Sequence, residues 1–254
     1  MAHYTIDINV NDEDYDKQGR IKADRVFHFF QDASEAQVNY LGIGPDDLIK
    51  RDYIWVLTKM RVRFPGEMHP GRRYVCTTFP AGQKRATFKR DYYINEVPED
   101  VEDLTLNADG TVSCKTWQPD PDKAVVIGAS QWCILNYKTR ALEKTDIVFD
   151  PPEDEINMIE GVLPKIHGND PQYLCDYVVN ARDLDYNDHC NNTRYIALAE
   201  EATGISIKDE LYVNFASEAR FGDTFKLFSE EHEEGTYVEG QTEAGERVFQ
   251  IIMR

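Results

Sequence analysis

The stretch NARDLDYNDHCNNTRYIALAEEA, Asn180 to Ala202, has a second and more divergent copy earlier in the chain. Shifted back without a gap, so that Asn180 falls on Asn11, it overlies NDEDYDKQGRIKADRVFHFFQDA. In both copies an acidic segment leads into an apolar run of helical spacing. The identical positions are Asn11 with Asn180, Asp14 with Asp183, Asp16 with Asp185, Arg25 with Arg194 and Ala33 with Ala202.

A second pair of matching blocks follows in the same order. FASEARFG, beginning at Phe215, overlies FPGEMHPG, beginning at Phe64, and pairs Glu218 with Glu67. Strand-like sequence follows each block. A repeat of this length predicts a duplicated domain, since solenoid repeats are much shorter.

Each copy is predicted to contain one buried helix followed by strands. The first helix ends near Gly42, and the second ends at Gly204 and begins with Asn191 or Asn192 as its N-cap. Alternating segments predict the strands. These are TKMRVRF, RRYVCTTF, ATFKRDYYI and ASQWCILNY in the first copy, and DTFKLFSEE, TYVEGQ and RVFQIIM in the second. One helix and an antiparallel sheet, twice, is an α+β arrangement.

The predicted domain boundaries follow from this duplication. We expect an N-terminal unit over residues 1–145, a proline-containing linker over 146–172 and a C-terminal unit over 173–254. The acidic segment from Glu96 to Asp122 is interpreted as a long hairpin excursion from the first unit.

Composition restricts the class of protein. The chain has 254 residues, no signal-like N-terminus and no apolar run of membrane-spanning length, so we expect a cytoplasmic location. Five widely spaced cysteines without a C-x-x-C pair predict neither disulfides nor a zinc site, and no motif calls for a metal or another cofactor. A net charge of −18 argues against general binding to nucleic acid.

One part of the chain is basic against this acidic background. Residues 51–95 contain ten Lys and Arg against three acids, a local charge of +7. These residues are interpreted either as the solvent faces of strands or as a docking surface for an acidic partner.

His189 has the neighbours that general acid–base chemistry needs. Asp185, Asn187, His189 and Asn191 alternate, so in an extended segment their side chains would point the same way, toward a helix N-terminus. Free N–H groups and a partial positive charge there can stabilise an oxyanion. The alternative is an asparagine-rich cap without catalytic role. The first copy has Arg20 where the second has His189, which favours one active and one non-catalytic unit.

These residues resemble a known family. LDYNDHCNNTRYIALAEEA is similar to the D-x-N-x-H-x-N-N-x-x-Y segment of acyl-acyl-carrier-protein (acyl-ACP) thioesterases, and YIWVLTKMRVRF and ASQWCILNYKTRALEK resemble further segments of that family. The similarity runs from about residue 4 to the C-terminus. No plastid transit segment is visible, so the bacterial branch is the closer match.

The resemblance implies a double hot-dog fold, two tandem units that each wrap an antiparallel sheet around one helix. It implies hydrolysis of fatty acyl-ACP, which ends chain elongation and releases the fatty acid. Asp185, Asn187, His189 and Glu218 would be catalytic, with Asp185 acting either as a nucleophile or by orienting its neighbours. Family members with a Cys after the acid differ from this chain, which has Ala219. No thiolate is then needed at that position.

The resemblance also suggests roles for binding residues. The acyl chain would lie mainly in the N-terminal unit, with Phe30, Trp55 and Trp132 as candidates for its slot and Asn191 and Asn192 near the reacting group. Acyl carrier proteins are acidic, so basic residues of the first unit become candidates for docking one. They are Arg61, Arg63, Arg72, Arg73, Lys84, Arg85, Lys89 and Arg90.

Three alternatives remain open at this stage. A coenzyme A thioesterase would use the same chemistry with a different carrier. A hot-dog dehydratase would also use a His and an acid but would keep the thioester, and an acyl-binding pseudoenzyme would do no chemistry. The sequence leaves open the acyl preference and whether two chains form a homodimer.

Overall fold

The computed structural model describes residues 3–143, 145–149, 157–160, 163 and 165–254. The chain forms two compact units, Met1–Leu57 with Val62–Gly161, and Thr58–Arg61 with Val162–Arg254. Apart from Thr58–Arg61, which group with the second unit, the division falls within the predicted linker, of which Pro151, Pro152 and Pro164 lie outside the described residues. The limits of the linker stay a prediction.

The first unit contains one long helix and an antiparallel sheet. Its strands lie in the order β1-β3-β4-β7 with β2 next to β7, and a separate hairpin of β5 and β6 lies within the acidic excursion, as predicted. The elements are β1 (Tyr4–Ile8), α1 (Ala23–Tyr40), α2 (Pro45–Ile49), β2 (Tyr53–Arg63), β3 (Tyr74–Lys84), β4 (Thr87–Glu96), β5 (Thr105–Leu106), β6 (Val112–Ser113) and β7 (Val126–Asn136).

Aromatic packing fixes α1 on this sheet. The Phe30 ring is fully buried and stacks on Tyr92 of β4 with 4.5 Å between ring centroids. Gly128 of β7 makes room for that ring, because a Cβ there would lie 2.3 Å from Phe30. The chain leaves the helix through Gly42, whose φ of +69° is the left-handed conformation that glycine adopts readily.

The second unit repeats this plan with a shorter helix. Its strands lie in the order β9-β12-β11-β10-β8, and the pairs are antiparallel. Tyr195 of the helix stacks on Phe249 at 4.8 Å, and Gly204 ends the helix with a φ of +69°. The elements are β8 (Gln172–Val178), α3 (Asn192–Thr203), β9 (Glu210–Phe215), β10 (Thr224–His232), β11 (Gly235–Thr242) and β12 (Arg247–Met253).

The predicted α+β arrangement of one helix and an antiparallel sheet in each unit is therefore confirmed, as are all seven predicted strands. The described parts of the 146–172 stretch pack on the units. In the first, Lys89 Nζ donates to the Ile159 carbonyl at 2.7 Å; in the second, Gln250 Nε2 donates to the Ile166 carbonyl at 2.9 Å.

Two further expectations can be compared with the structure. All five cysteines are free thiols. Within the described ranges, no helix is both long and apolar enough to cross a bilayer.

Candidate active site

A tight turn before α3 presents the residues that sequence analysis singled out. The Asp185 carboxylate accepts hydrogen bonds from the backbone N–H groups of Asn187 at 2.8 Å and His189 at 3.1 Å. The Asp185 N–H donates to the His189 carbonyl at 2.7 Å, and Asp188 has a φ of +60°. The expectation of an extended segment is therefore wrong for residues 185–189, because the aspartate closes the chain on itself as an Asx-type turn.

The first unit contains the same turn without the imidazole. There the Asp16 carboxylate accepts from the N–H groups of Gln18 at 2.8 Å and Arg20 at 2.9 Å, and the Arg20 side chain folds back on Asp16. A short 3₁₀ turn with a reciprocal cap precedes both turns, in Asp12–Asp14 and Ala181–Asp183. The duplication read from the sequence is thus repeated in atomic detail.

A buried ion pair anchors each turn to its helix. Arg194 of α3 contacts Asp183 at 3.0 Å, and Arg25 of α1 contacts Asp14 at 2.7 Å. Asp183 also accepts from the Tyr177 hydroxyl at 2.6 Å. These are the aspartate and arginine positions that were identical between the copies, so those identities reflect a structural requirement shared by both units.

Two long-range contacts complete the site around His189. The loop after β9 pairs with the turn, since the Cys190 N–H donates to the Ala219 carbonyl at 2.7 Å and His189 forms a bridge with Arg220. This places the Glu218 carboxylate 3.4 Å from His189 Nε2. The imidazole is mostly enclosed, with 17% of its side chain exposed against 43% for Glu218. The structure therefore brings together the predicted imidazole and the predicted acid.

Arg220 was not predicted from the sequence. One of its terminal guanidinium nitrogens lies 2.8 Å from His189 Nε2. Its two-residue spacing from Glu218 was the available signal, because residues two apart on an extended segment point to the same side.

The asparagines have different surroundings. Asn191 caps α3, and its amide oxygen accepts from the Thr193 N–H at 3.0 Å, which confirms the N-cap prediction. Asn192 begins the helix and is half-buried. Asn187 is exposed, and within the described part of the chain no side-chain hydrogen bond engages its carboxamide. The catalytic role of Asn187 and the substrate-binding roles of Asn191 and Asn192 stay predictions.

Cysteine is not a suitable nucleophile here. Burial raises the pKa of the Cys190 thiol to about 12, so it is not a thiolate at neutral pH. The two positions after Glu218 are Ala219 and Arg220, so neither is a cysteine. Among the described residues, no group of three or more His, Cys, Asp or Glu side chains is arranged to hold a metal ion. The catalytic roles of His189, Glu218 and Asp185 stay predictions.

Comparison with known proteins identifies the family. The model of the acyl-ACP thioesterase N-terminal domain matches residues 2–106, and the model of the C-terminal domain of the same enzymes matches residues 168–251. The chain belongs to the acyl-ACP thioesterase family. The site around His189 lies within the second match, and the assignment to a bacterial branch stays a prediction.

Individual relatives agree with this family. A chloroplastic palmitoyl-acyl carrier protein thioesterase from Cuphea hookeriana is 25% identical over 195 residues, which are 70% of this chain and 41% of the relative. The chain thus spans about two fifths of the curated relative it matches.

Solved structures show the same fold at low identity. An acyl-ACP thioesterase from Bacteroides thetaiotaomicron gives a TM-score of 0.75 at 17% identity, over 99% of this chain and 97% of that one. The 12:0-ACP thioesterase from Umbellularia californica gives 0.72 at 16%, over 99% and 96%. The double hot-dog fold that the resemblance implied is therefore confirmed.

Several of the eight basic residues expected to dock a carrier protein are engaged within the fold. Arg90 is 6% exposed and donates to Gln37 and Thr78. Its side chain points toward α1 and is therefore not part of the protein surface. Ion pairs engage Arg61 with Glu210, Arg72 with Glu96 and Glu99, and Lys89 with the buried Asp91.

The remaining basic residues are closer to the solvent. Arg73 is exposed and donates to the Val101 carbonyl, and Arg63 is half-buried. Lys84 and Arg85 form the exposed tip of the β3–β4 hairpin, and neither makes an ion pair with a described residue. Burial therefore excludes Arg90 from a docking surface, and the docking role of the other seven residues stays a prediction.

The candidate acyl-binding aromatics separate into two groups. Trp55 and Trp132 pack against a buried cluster of Leu48, Phe88, Ile134, Ile147 and Phe149. Ile147 and Phe149 also line a groove of about 280 Å³ with Leu41 and Ile43. Phe30 instead belongs to the contact between α1 and the sheet.

Proposed function

We propose that this chain hydrolyses the thioester of a fatty acyl group carried on acyl carrier protein and releases the free fatty acid. The contact that carries the proposal is the 3.4 Å approach of Glu218 to His189 Nε2, beside the N-terminus of α3. An imidazole and a carboxylate at one point can position a water molecule and accept its proton. Family membership supplies the substrate class.

The reaction needs no cofactor in this scheme. His189 takes a proton from water while the water oxygen bonds to the thioester carbon. The carbonyl electron pair moves to oxygen, where the Asn187 amide and free N–H groups at the start of α3 are candidate donors to stabilise it. The C–S bond then breaks, the carbonyl re-forms, and His189 returns the proton to the leaving thiolate. Water and thioester become acid and thiol.

Asp185 is assigned a positioning role. One of its oxygens is engaged by two backbone N–H groups, and Asp16 makes the same two bonds in a unit without the histidine. An aspartate that the fold uses to close a turn in both units is explained without covalent chemistry. This supports orientation of Asn187 and His189 over direct attack on the thioester.

The binding roles of the first unit are proposed on similar grounds. Trp55 and Trp132 offer apolar surface suited to an acyl chain, and the groove beside Phe149 combines apolar side chains with the Arg51–Asp146 ion pair. The exposed cations Lys84 and Arg85 suit an acidic carrier protein. A hydrophobic slot distinguishes one methylene by only about 1 to 3 kcal/mol, so we expect a range of chain lengths.

The test measures free fatty acid released from matched acyl-ACP and acyl-coenzyme A thioesters. His189→Ala and Glu218→Gln are expected to lower kcat by about 100-fold or more. The duplication supplies controls, because Arg20→Ala and Glu67→Gln change the equivalent positions of the first unit and should leave the rate unchanged.

Each alternative corresponds to a different result. Faster hydrolysis of the coenzyme A series would identify the protein as a coenzyme A thioesterase. Dehydration of a 3-hydroxyacyl thioester without acid release would identify it as a dehydratase. In the carrier series, Lys84→Glu with Arg85→Glu should raise KM and flatten its salt dependence. An unchanged KM would remove the hairpin tip from the docking surface.

A further inference from the structure

Arg220 has an unusual partner for an exposed arginine. Its guanidinium lies 2.8 Å from His189 Nε2, and no described carboxylate pairs with it, although Glu218 and Asp223 are close in sequence. Its backbone is fixed, because the Arg220 N–H donates to the Asp223 side chain at 2.7 Å and the Asp223 N–H returns to the Arg220 carbonyl at 3.0 Å. The loop thus holds a positive charge against the imidazole.

The two groups beside Nε2 have opposite hydrogen-bonding abilities. A guanidinium has five donors and no acceptor, while an ionised carboxylate only accepts. Nε2 can therefore accept from Arg220 when it carries no proton, and donate to Glu218 when it does. The 2.8 Å contact with Arg220 and the longer 3.4 Å distance to Glu218 are the geometry that an unprotonated Nε2 would have.

Proton transfer would exchange these partners. Because Nε2 has one lone pair, it takes the proton from water as Arg220 leaves it, and the protonated nitrogen then donates to the Glu218 carboxylate. The guanidinium then has no partner. At the same time the water attacks the thioester carbon, and a negative charge forms on the carbonyl oxygen. A charged donor released beside a new oxyanion binds it more strongly than it binds the neutral ground-state carbonyl.

We propose that Arg220 is a further catalytic residue, whose guanidinium holds the His189 lone pair in the resting site and moves to the oxyanion during attack. This rests on the proposed hydrolysis. The proton follows the route given above, from water to His189 Nε2 and on to the leaving thiolate, and Arg220 keeps its own protons throughout. When the thiol has left, the neutral imidazole recovers its bond from Arg220.

The repeat is consistent with a role confined to one unit. The counterpart of Arg220 is His69, and the counterpart of His189 is Arg20. The Arg20 side chain is held by Asp16, and His69 lies 3.9 Å from Glu67. The imidazole–guanidinium contact of the second unit is thus not a feature that the fold itself requires.

The experiment compares kcat and KM of the full-length chain with Arg220→Gln and Arg220→Lys on the acyl thioester that it hydrolyses best. Loss of one oxyanion donor should lower kcat of Arg220→Gln by about 100-fold to 1000-fold with KM changed less than about threefold. Arg220→Lys should recover part of that loss. Arg182→Gln, which removes another exposed arginine near the same turn, should keep the wild-type kcat.

A readout independent of turnover accompanies the kinetics. The ¹⁵N resonance of His189 Nε2 should move toward that of a free unprotonated nitrogen in Arg220→Gln while the melting temperature stays unchanged. An unmoved resonance, an unchanged kcat or an effect on KM alone would overturn the proposal. If His189→Ala is inactive and Arg220→Gln is fully active, only the proposal for Arg220 is refuted. A wild type that is inactive on all thioesters would overturn both proposals.

Discussion

Replacing Asp185 with Asn separates the two roles that its carboxylate could have. The substitution keeps an oxygen at the position that accepts the N–H groups of Asn187 and His189 but removes the negative charge. A turn-closing residue keeps part of its function after this change. A nucleophile loses all of it, because a carboxamide cannot form the mixed anhydride.

The structure sets the size of the expected effect. Hydrogen bonds to a charged acceptor contribute about 1.5 to 3 kcal/mol and neutral ones about 0.5 to 1.5, so each of the two bonds weakens by about 1 kcal/mol. The turn loses about 2 kcal/mol in total. Even if all of this appeared in the barrier, the rate would fall about 30-fold. Loss of a nucleophile would instead cost on the order of a million-fold.

The assay pairs single-turnover hydrolysis with urea unfolding. Asp16→Asn is the matched control, since Asp16 closes the equivalent turn in the unit without the histidine. We expect both variants to lose about 2 kcal/mol of unfolding free energy, with a further contribution of up to about 1 kcal/mol for the Asp16 ion pair with Arg20. We expect only Asp185→Asn to slow the reaction.

One result would refute this assignment. If Asp185→Asn lost more than about 10,000-fold in rate while its unfolding free energy fell by only the expected value of about 2 kcal/mol, the carboxylate would be acting chemically. Trapping of an acylated Asp185 in the wild type would lead to the same conclusion.

Two further predictions concern buried carboxylates. Asp183→Asn should lower the unfolding free energy by about 3 kcal/mol, measured in urea, because the Arg194 guanidinium, the Tyr177 hydroxyl and the Asn180 N–H each lose a charged acceptor, while Arg194 keeps its ion pair with Glu201; a loss below about 1 kcal/mol would contradict this. Burial raises the pKa of Asp91 to about 6, so the folded state binds more protons than the unfolded chain between about pH 4 and pH 6. Stability should therefore fall by about 3 kcal/mol as pH rises through this window and level off above it, and Asp91→Asn should remove this part of the slope; equal slopes in both proteins would show the assignment to be wrong.

Sequence patterns predicted the parts of the fold that depend on local spacing. The seven alternating segments are strands, and Asn191 and Gly204 bound α3, because periodicity and capping are properties of neighbouring residues. Strands β1, β8 and β9 were missed. β8 is largely exposed and β9 almost entirely buried, so neither alternates in the way that identifies a half-buried strand.

Properties that depend on distant residues were harder to predict. The local charge of +7 did not show which basic residues share a face of the sheet. Neighbouring side chains of β4 point to opposite faces, which places Arg90 beneath α1 and Lys89 beside Asp91. The contact of Arg220 with His189 joins two segments through a bridge between loops. No spacing within one segment encodes that contact.

The comparison of the two units separates what the fold needs from what the reaction needs. The capped 3₁₀ turn, the arginine pair and the aspartate that closes the next turn occur in both, so their presence in the second unit is explained by stability. His189 and Arg220 are then specific to the second unit, where they contact each other and Glu218, although the counterpart of Glu218 is also a glutamate, Glu67. A functional difference between the units should therefore follow the positions at which this group differs, His189 against Arg20 and Arg220 against His69, more than the acidic residues that both units share.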